Sequence, residues 1–280
     1  MSTPNPFLRF AHPRDEAQPK QRAKRLLSPR PATSGKRQRP EATTKEEADG
    51  DDPRLAMLAC MQSIRKTMIA QVDIYGTQQL YSASMAPKDQ RWQILIASLL
   101  STQTRDEITA GAMLRLHALP GGLTISSVLA LSVAELDALL SPVGFHLKKA
   151  EQLLRIADIL QTRFESDIPL SIAELMELPG IGPKVARLIA LVAWGRADGI
   201  IVDTHVHRIA RRLGWTSAPA KTAEDSRREL EGWIPPDKWG DMSKLLIGFG
   251  QTYCKAVKPK CVSCPMRATC PSSSQGSDAV

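Results

Sequence analysis

Four cysteines, Cys254, Cys261, Cys264 and Cys270, stand in one short stretch spaced C-x6-C-x2-C-x5-C. That spacing matches neither paired C-x2-C knuckles nor two-Cys two-His fingers. It suits a single all-thiolate site holding an iron–sulfur cluster or one metal ion. Upstream lies Leu178-Pro179-Gly180-Ile181-Gly182-Pro183-Lys184, which reads as a helix, a tight hairpin and a second helix. Ser171 can cap a helix over 172–177, Gly180 and Gly182 permit backbone conformations other residues avoid, and Pro183 suits a first helical position. With no side chains on the two glycines, the amides around Ile181 and Gly182 can approach a phosphate oxygen at the positive end of a helix. Such a contact grips a nucleic-acid backbone without reading its sequence. A plain interhelical turn is the competing reading.

Lys184 falls in the first turn of that second helix, where the helix field disfavours ammonium and makes the neutral amine more accessible. A neutral lysine is a nucleophile able to form a Schiff base with an aldehyde carbon; position alone fits a phosphate-neutralising lysine as well. The run Gly199-Ile200-Ile201-Val202 delivers Asp203 to the start of another helix. There it is an N-cap, or a carboxylate that stabilises positive charge on a sugar or shuttles a proton. His205 and His207, two apart on a helix, make a poor metal pair and are expected at the surface or facing DNA. Lys255, Lys258 and Lys260 lie inside the first cysteine loop, with Arg267 beyond. A basic loop pinned by a metal site would contact phosphates, the alternative being a solvated charged loop. Taken with the hairpin, the cysteines favour a [4Fe–4S] cluster over zinc. Cys60, far from the four, is expected as a small core residue.

The chain of 280 residues, 42% hydrophobic, has room for one large or two small domains. Its longest apolar run, near 188–194, is too short for the roughly 20 residues of a membrane span. The formal charge is +8. Residues 1–50 hold eleven Lys or Arg against six acids, contributing +5 and leaving +3 for the rest. Any DNA contact of the folded body is therefore a local patch. Five cysteines, four of them clustered, do not form a secreted disulfide framework, and a reducing compartment is expected. Residues 1–27 lack the apolar core of a secretory signal. Lys24-Arg25 and Lys36-Arg37-Gln38-Arg39 resemble a nuclear import signal or a DNA-binding tail, while Arg9 and Arg14, interrupted by Asp15 and Glu16, leave a mitochondrial presequence as the weaker option.

The elements that must position these groups are helices. Composition predicts disorder over 1–54. From Leu55 on, apolar residues repeat at helical spacing: Leu55, Leu58 and Ala59; Trp92, Leu95, Ile96, Leu99 and Leu100; Leu129, Val133, Leu136, Leu139 and Leu140; Leu153, Leu154, Ile156, Ala157 and Leu160; Leu188, Ile189, Leu191 and Val192. Strand signals are nearly absent and Gly or Pro breaks are short, so an all-α fold is expected.

Hairpin, Val202-Asp203-Thr204-His205-Val206 with Arg208, and the four cysteines, in this order, resemble the endonuclease III family of DNA glycosylases within the helix-hairpin-helix superfamily. The resemblance runs from about Leu55 to Pro271. Leu99-Leu100-Ser101-Thr102-Gln103-Thr104 is similar to the family segment that reaches into the duplex. The resemblance implies a bifunctional DNA N-glycosylase and abasic-site lyase of base excision repair, acting as a monomer on double-stranded DNA with oxidised pyrimidines, such as thymine glycol, or abasic sites. Lys184 would attack the sugar C1′ of an everted nucleotide, Asp203 would assist base departure, and β-elimination would nick the strand. Gln103 would fill the vacated space, with Phe145 as partner wedge. The four cysteines would hold a [4Fe–4S] cluster. The implied architecture is a six-helix barrel over 88–196 with the hairpin at about 171–194. A cluster domain would join 55–87 to 197–272, and 273–280 would be a disordered end. The basic extension is similar to that of eukaryotic members, which implies the nucleus, with the mitochondrion second. Two rivals stand ahead of a third, a redox sensor acting through the cluster, which ranks last because the sequence offers no electron-transfer partner site. An adenine glycosylase of the same superfamily typically lacks the lysine and carries a further C-terminal domain, for which the ten residues after Cys270 leave no room. A non-catalytic module would use hairpin and cluster only to grip duplex.

Overall fold

The computed structural model describes residues 52–273. The basic clusters of the tail, the expected disorder before residue 52 and the chain after 273 lie outside the described residues. Among the described residues all regular structure is helical, as apolar residues spaced at three and four without alternation require. No helix among them is long and apolar enough to cross a membrane.

Among the described residues twelve α-helices follow in order: α1 (Pro53–Lys66), α2 (Gln71–Tyr75), α3 (Pro87–Leu100), α4 (Asp106–His117), α5 (Ile125–Leu129), α6 (Val133–Leu140), α7 (His146–Arg163), α8 (Ile172–Glu177), α9 (Pro183–Trp194), α10 (Thr204–Arg212), α11 (Ala223–Glu231) and α12 (Trp239–Thr252). Their starts follow from local chemistry. Asp52, Ser171, Asp203 and Thr222 each accept a backbone N–H of the first turn, at α1, α8, α10 and α11. Pro87 and Pro183 occupy first positions, where no N–H is needed. The apolar set from Leu129 to Leu140 is divided between α5 and α6. The break carries no Gly or Pro: Ser132 stops the run by forming a capping box with Glu135.

The buried residues fall into two cores. The first gathers side chains between Leu80 and Ile189 from α3 to α9. Its axis is α3, whose residues from Trp92 to Leu100 are all buried, so that this helix is enclosed on every side; α9 packs along it, and α7 packs on α5 and α6. The second core joins Leu58 and Met61 of α1 to residues between Ile200 and Met266. There α10 packs Val206, Ile209 and Ala210 against α12 and leaves its arginines outside this face. Each fully buried Leu or Ile contributes roughly 1.5–3 kcal/mol. Cys60 departs from its expected place: it is exposed on α1, because Leu58 and Met61 take the inward face of that helix.

Candidate active site

A cleft of about 930 Å³ opens between the first turns of α9 and α10, the loop joining α3 to α4, and α12. Lys184, Asp203 and Gln103, eighty to a hundred positions apart in part, all line it, together with Asp106, His205 and Gln251. Lys184 is half-buried, two residues after Gly182, the N-cap of α9. Asp203 serves both readings at once. Its Oδ1 accepts the Val206 amide at 2.8 Å as the cap of α10, and Oδ2 has no hydrogen-bond partner among the described residues. One oxygen is structural and the other is unused, on a residue that lines the cleft.

Asp106 and Gln251 escaped sequence reasoning. The Gln251 side chain bridges three segments, accepting the Val72 amide at 2.9 Å and donating to Asp106 Oδ2 at 2.9 Å. Burial pushes the Asp106 carboxyl up, with Glu107 adding, while the Gln251 amide and the charges of His205 and Lys184 draw it partly back. The signal for Asp106 was its place at the head of α4, directly after the Gln103 loop; Gln251 carries no local signal. The histidines are less exposed than expected. Both are half-buried and line the cleft, His205 Nδ1 lying 3.2 Å from Arg208 and His207 Nδ1 2.7 Å from Ser226 Oγ.

The hairpin stands next to the cleft, outside its lining. Gly180 has φ +81°, a conformation open to glycine. The Ile181 side chain is buried, and its amide donates to Leu178 O at 3.1 Å, so that amide is spent within the turn. The amides of Gly182, Lys184 and Val185 remain at the head of α9, where helices leave their first N–H groups unpaired. An added Cβ at Gly182 would meet nothing within 4 Å; the approach is clear.

Gln103 and Phe145 are both exposed and both in the left-handed region, with φ 51° and 58°. Phe145, 64% exposed, precedes α7 and is not in the cleft lining. Its loop nevertheless abuts that of Gln103: the Gly144 amide donates to Thr104 Oγ1 at 3.1 Å, and a Cβ on Gly144 would lie 2.6 Å from Gln103 O.

The cysteines lie at the far end of α10. Cys254, Cys264 and Cys270 pack on the second core. Burial pushes the thiols of Cys264 and Cys270 up, partly offset by backbone amides, and the other thiolates of the set add to the rise. Arg212 Nη1 is 3.3 Å from Cys254 Sγ and donates to Lys255 O at 2.7 Å; Arg208 donates to Cys254 O at 3.0 Å. Among the described residues no three His, Cys, Asp or Glu side chains close on a single point as ligands of one metal ion would. Lys255, Lys258 and Lys260 are exposed, which fits the solvated reading and the phosphate reading equally.

Comparison with known proteins matches residues 96–236 to the HhH-GPD superfamily base excision DNA repair protein. Endonuclease III-like protein 1 of Bos taurus is 46% identical over 211 residues, covering 75% of this chain and 68% of that one. The Mus musculus protein of the same name is 48% identical over 214 residues, covering 76% and 71%. Among solved structures, a trapped covalent intermediate of endonuclease III with DNA, an estranged-adenine complex, superposes with a TM-score of 0.64 and 25% identity over 79% of this chain and 97% of that one.

Proposed function

The chain belongs to the HhH-GPD superfamily of base excision DNA repair proteins, and we propose that within it Lys184 is the amine that carries out base removal and strand cleavage. The protein is a DNA glycosylase of base excision repair that works on duplex DNA. The observation carrying the residue assignment is that Lys184, Asp203 and Gln103 line one cleft large enough for an everted nucleotide.

The Lys184 amine attacks C1′ of the everted nucleotide. The N-glycosidic bond breaks, its electron pair leaving with the base, which takes up a proton. Asp203 Oδ2 is placed to stabilise the positive charge that grows on the sugar and to accept the proton that the amine sheds. Ring opening, with the ring oxygen taking up the proton that Asp203 accepted, converts the N,O-acetal at C1′ into a protonated Schiff base. That iminium acidifies the C2′ hydrogen; its loss with departure of the 3′ phosphate oxygen is the β-elimination that nicks the strand. Water then hydrolyses the imine and frees Lys184. Oxidised pyrimidines and abasic sites are the proposed substrates, since a damaged pair is cheaper to open. Gln103 fills the vacated space, with Phe145 beside it. The Gly180–Gly182 hairpin and the Lys255, Lys258 and Lys260 loop hold phosphates.

Cys254, Cys261, Cys264 and Cys270 would hold a [4Fe–4S] cluster. The support is the chemistry of the donor set: four cysteines lie in one loop against the second core, and burial together with the neighbouring cysteines disfavours ionising Cys264 and Cys270 unless a cation offsets the charge. When bound, the cluster supplies the cross-link that fixes the basic loop. The nucleus is the proposed location, with the mitochondrion second.

Borohydride trapping on a duplex bearing one thymine glycol tests the chemistry. A covalent adduct with the wild type and none with Lys184→Gln is expected. An adduct in both proteins would move the nucleophile elsewhere, and an adduct in neither would overturn the lyase assignment for this lesion.

A further inference from the structure

Lys149 is a charged residue that the reaction does not use, 4% exposed and enclosed at the start of α7. Burying an ammonium costs several kcal/mol unless its protons are all accepted. Here all three acceptors come from the segment that carries Gln103: Nζ donates to Leu100 O at 3.0 Å, Thr102 O at 2.7 Å and Thr104 Oγ1 at 3.3 Å. Two of these are carbonyls at or just past the end of α3, where a helix leaves its last carbonyls unpaired and its field favours a cation. Thr104 Oγ1 also accepts the Gly144 amide at 3.1 Å, which ties in the turn that presents Phe145. Burial draws Lys149 down to about 8, so the ammonium is still the main form at neutral pH.

From this geometry we infer that Lys149 is a positioning residue: it locks the Gln103 loop and the Phe145 turn into one rigid wedge, so that both side chains enter the duplex together and hold it open. A residue needed only for packing at this place would be apolar. A donor of three hydrogen bonds fixes the left-handed backbone at Gln103, which the chain would otherwise leave. The inference rests on the assignment of Gln103 and Phe145 as the groups that enter DNA.

The test compares single-turnover base excision from a thymine glycol duplex, which must be opened, with β-elimination at a preformed abasic site, where no base remains to be extruded. Lys149→Met is expected to lower the first rate about 10-fold or more, the cost of re-ordering one or two freed loop residues, and the second less than about 2-fold. Thr104→Val, which cuts the tie to Gly144 and takes away one of the three Lys149 acceptors while leaving the two carbonyls, is expected to shift the ratio in the same direction by a smaller factor, and it carries the test if Lys149→Met fails to melt cooperatively. Gln103→Ala serves as the reference for the wedge itself. A ratio moved by Gln103→Ala and by neither other variant overturns the tether and leaves the wedge standing. A ratio moved by none of the three overturns the wedge. Equal falls on both substrates would make Lys149 a general structural residue and overturn the inference too.

Discussion

Replacing Gly180 and Gly182 singly by alanine separates the hairpin's own fold from its grip on DNA. At Gly180 φ is +81°, and an added Cβ would lie 2.6 Å from Gln152 Nε2. The left-handed backbone costs an alanine roughly 1–2 kcal/mol; the Gln152 amide, at the end of a flexible side chain, can swing aside. In a folded body of this size each kcal/mol shifts Tm by roughly 2–4 °C, so Gly180→Ala is expected to melt about 2–8 °C below wild type. Gly182 has an ordinary φ of −94° and open space around its missing side chain. Alanine there stabilises by roughly 0.4–1 kcal/mol through the unfolded chain and loses a similar amount as a poorer N-cap. The two nearly cancel, and Tm should stay within about 2 °C of wild type. Yet the new methyl stands where a phosphate would meet the first amides of α9. Losing one or two hydrogen bonds to a charged oxygen, roughly 1.5–3 kcal/mol in all, weakens binding by about 10- to 150-fold. Thermal melts and fluorescence anisotropy on a duplex with a stable abasic analogue, at one fixed salt concentration, read both effects. A Gly182→Ala protein that binds as tightly as wild type would refute the phosphate site, and a Gly180→Ala protein that melts with wild type would refute the strain argument.

Asp203→Asn should keep the cap of α10 and melt with wild type, whereas Asp203→Ala should lose about 1 kcal/mol; both should slow base removal, and a wild-type single-turnover rate in either would exclude the free oxygen from the chemistry. Asp106→Asn removes a carboxyl that burial holds above its ordinary range. The wild type pays for ionising it only where pH exceeds the unfolded carboxylate value, so the gain in Tm should be full at pH 8 and shrink towards zero as pH falls through the acid range. An increment that stays constant down to pH 3 would contradict the desolvation argument. Cys261→Ser should abolish the visible absorbance of an iron–sulfur protein, and a colourless wild type with full activity and bound zinc would defeat the cluster assignment.

What was legible in the sequence is what local chemistry decides. Ser171, Pro183 and Asp203 announce helix starts because capping is settled within a turn, and the spacing of Trp92, Leu95, Ile96, Leu99 and Leu100 announces α3, though not the burial of Gln93 and Ser98 with them. Lys184 and Asp203 could be singled out because each heads a helix. What stayed hidden is set by contacts between distant segments. The Gln251 amide reaches Asp106 across 145 positions and Val72 across 179, and no spacing rule marks such a residue. Lys149 sits among the charged residues of an amphipathic helix, and only its burial against the end of α3 separates it from its neighbour Lys148, which is exposed. Cys60 was misplaced for a related reason: helical period shows which residues share a face, and the choice of the buried face at α1 fell to Leu58 and Met61.

The arrangement of α10 gives the distant cysteines a part in the cleft without a chemical step. Asp203 caps the helix at its N-terminus, and Arg208 and Arg212 grip the backbone of Cys254, Lys255 and Ala256 near its C-terminus. Nine residues, roughly 13 Å of helix, join the two ends, and Val206, Ile209 and Ala210 are buried between them. A displacement of the cysteine loop must therefore move α10 as a rod or break three arginine contacts. Moving the rod shifts Asp203 relative to Lys184, which is held on α9 in the other core. Because catalysis falls steeply when reacting groups are misplaced by even about 1 Å, disturbing the cysteine loop is expected to slow base removal more than it weakens binding at the hairpin, whose phosphate contacts belong to α9 alone.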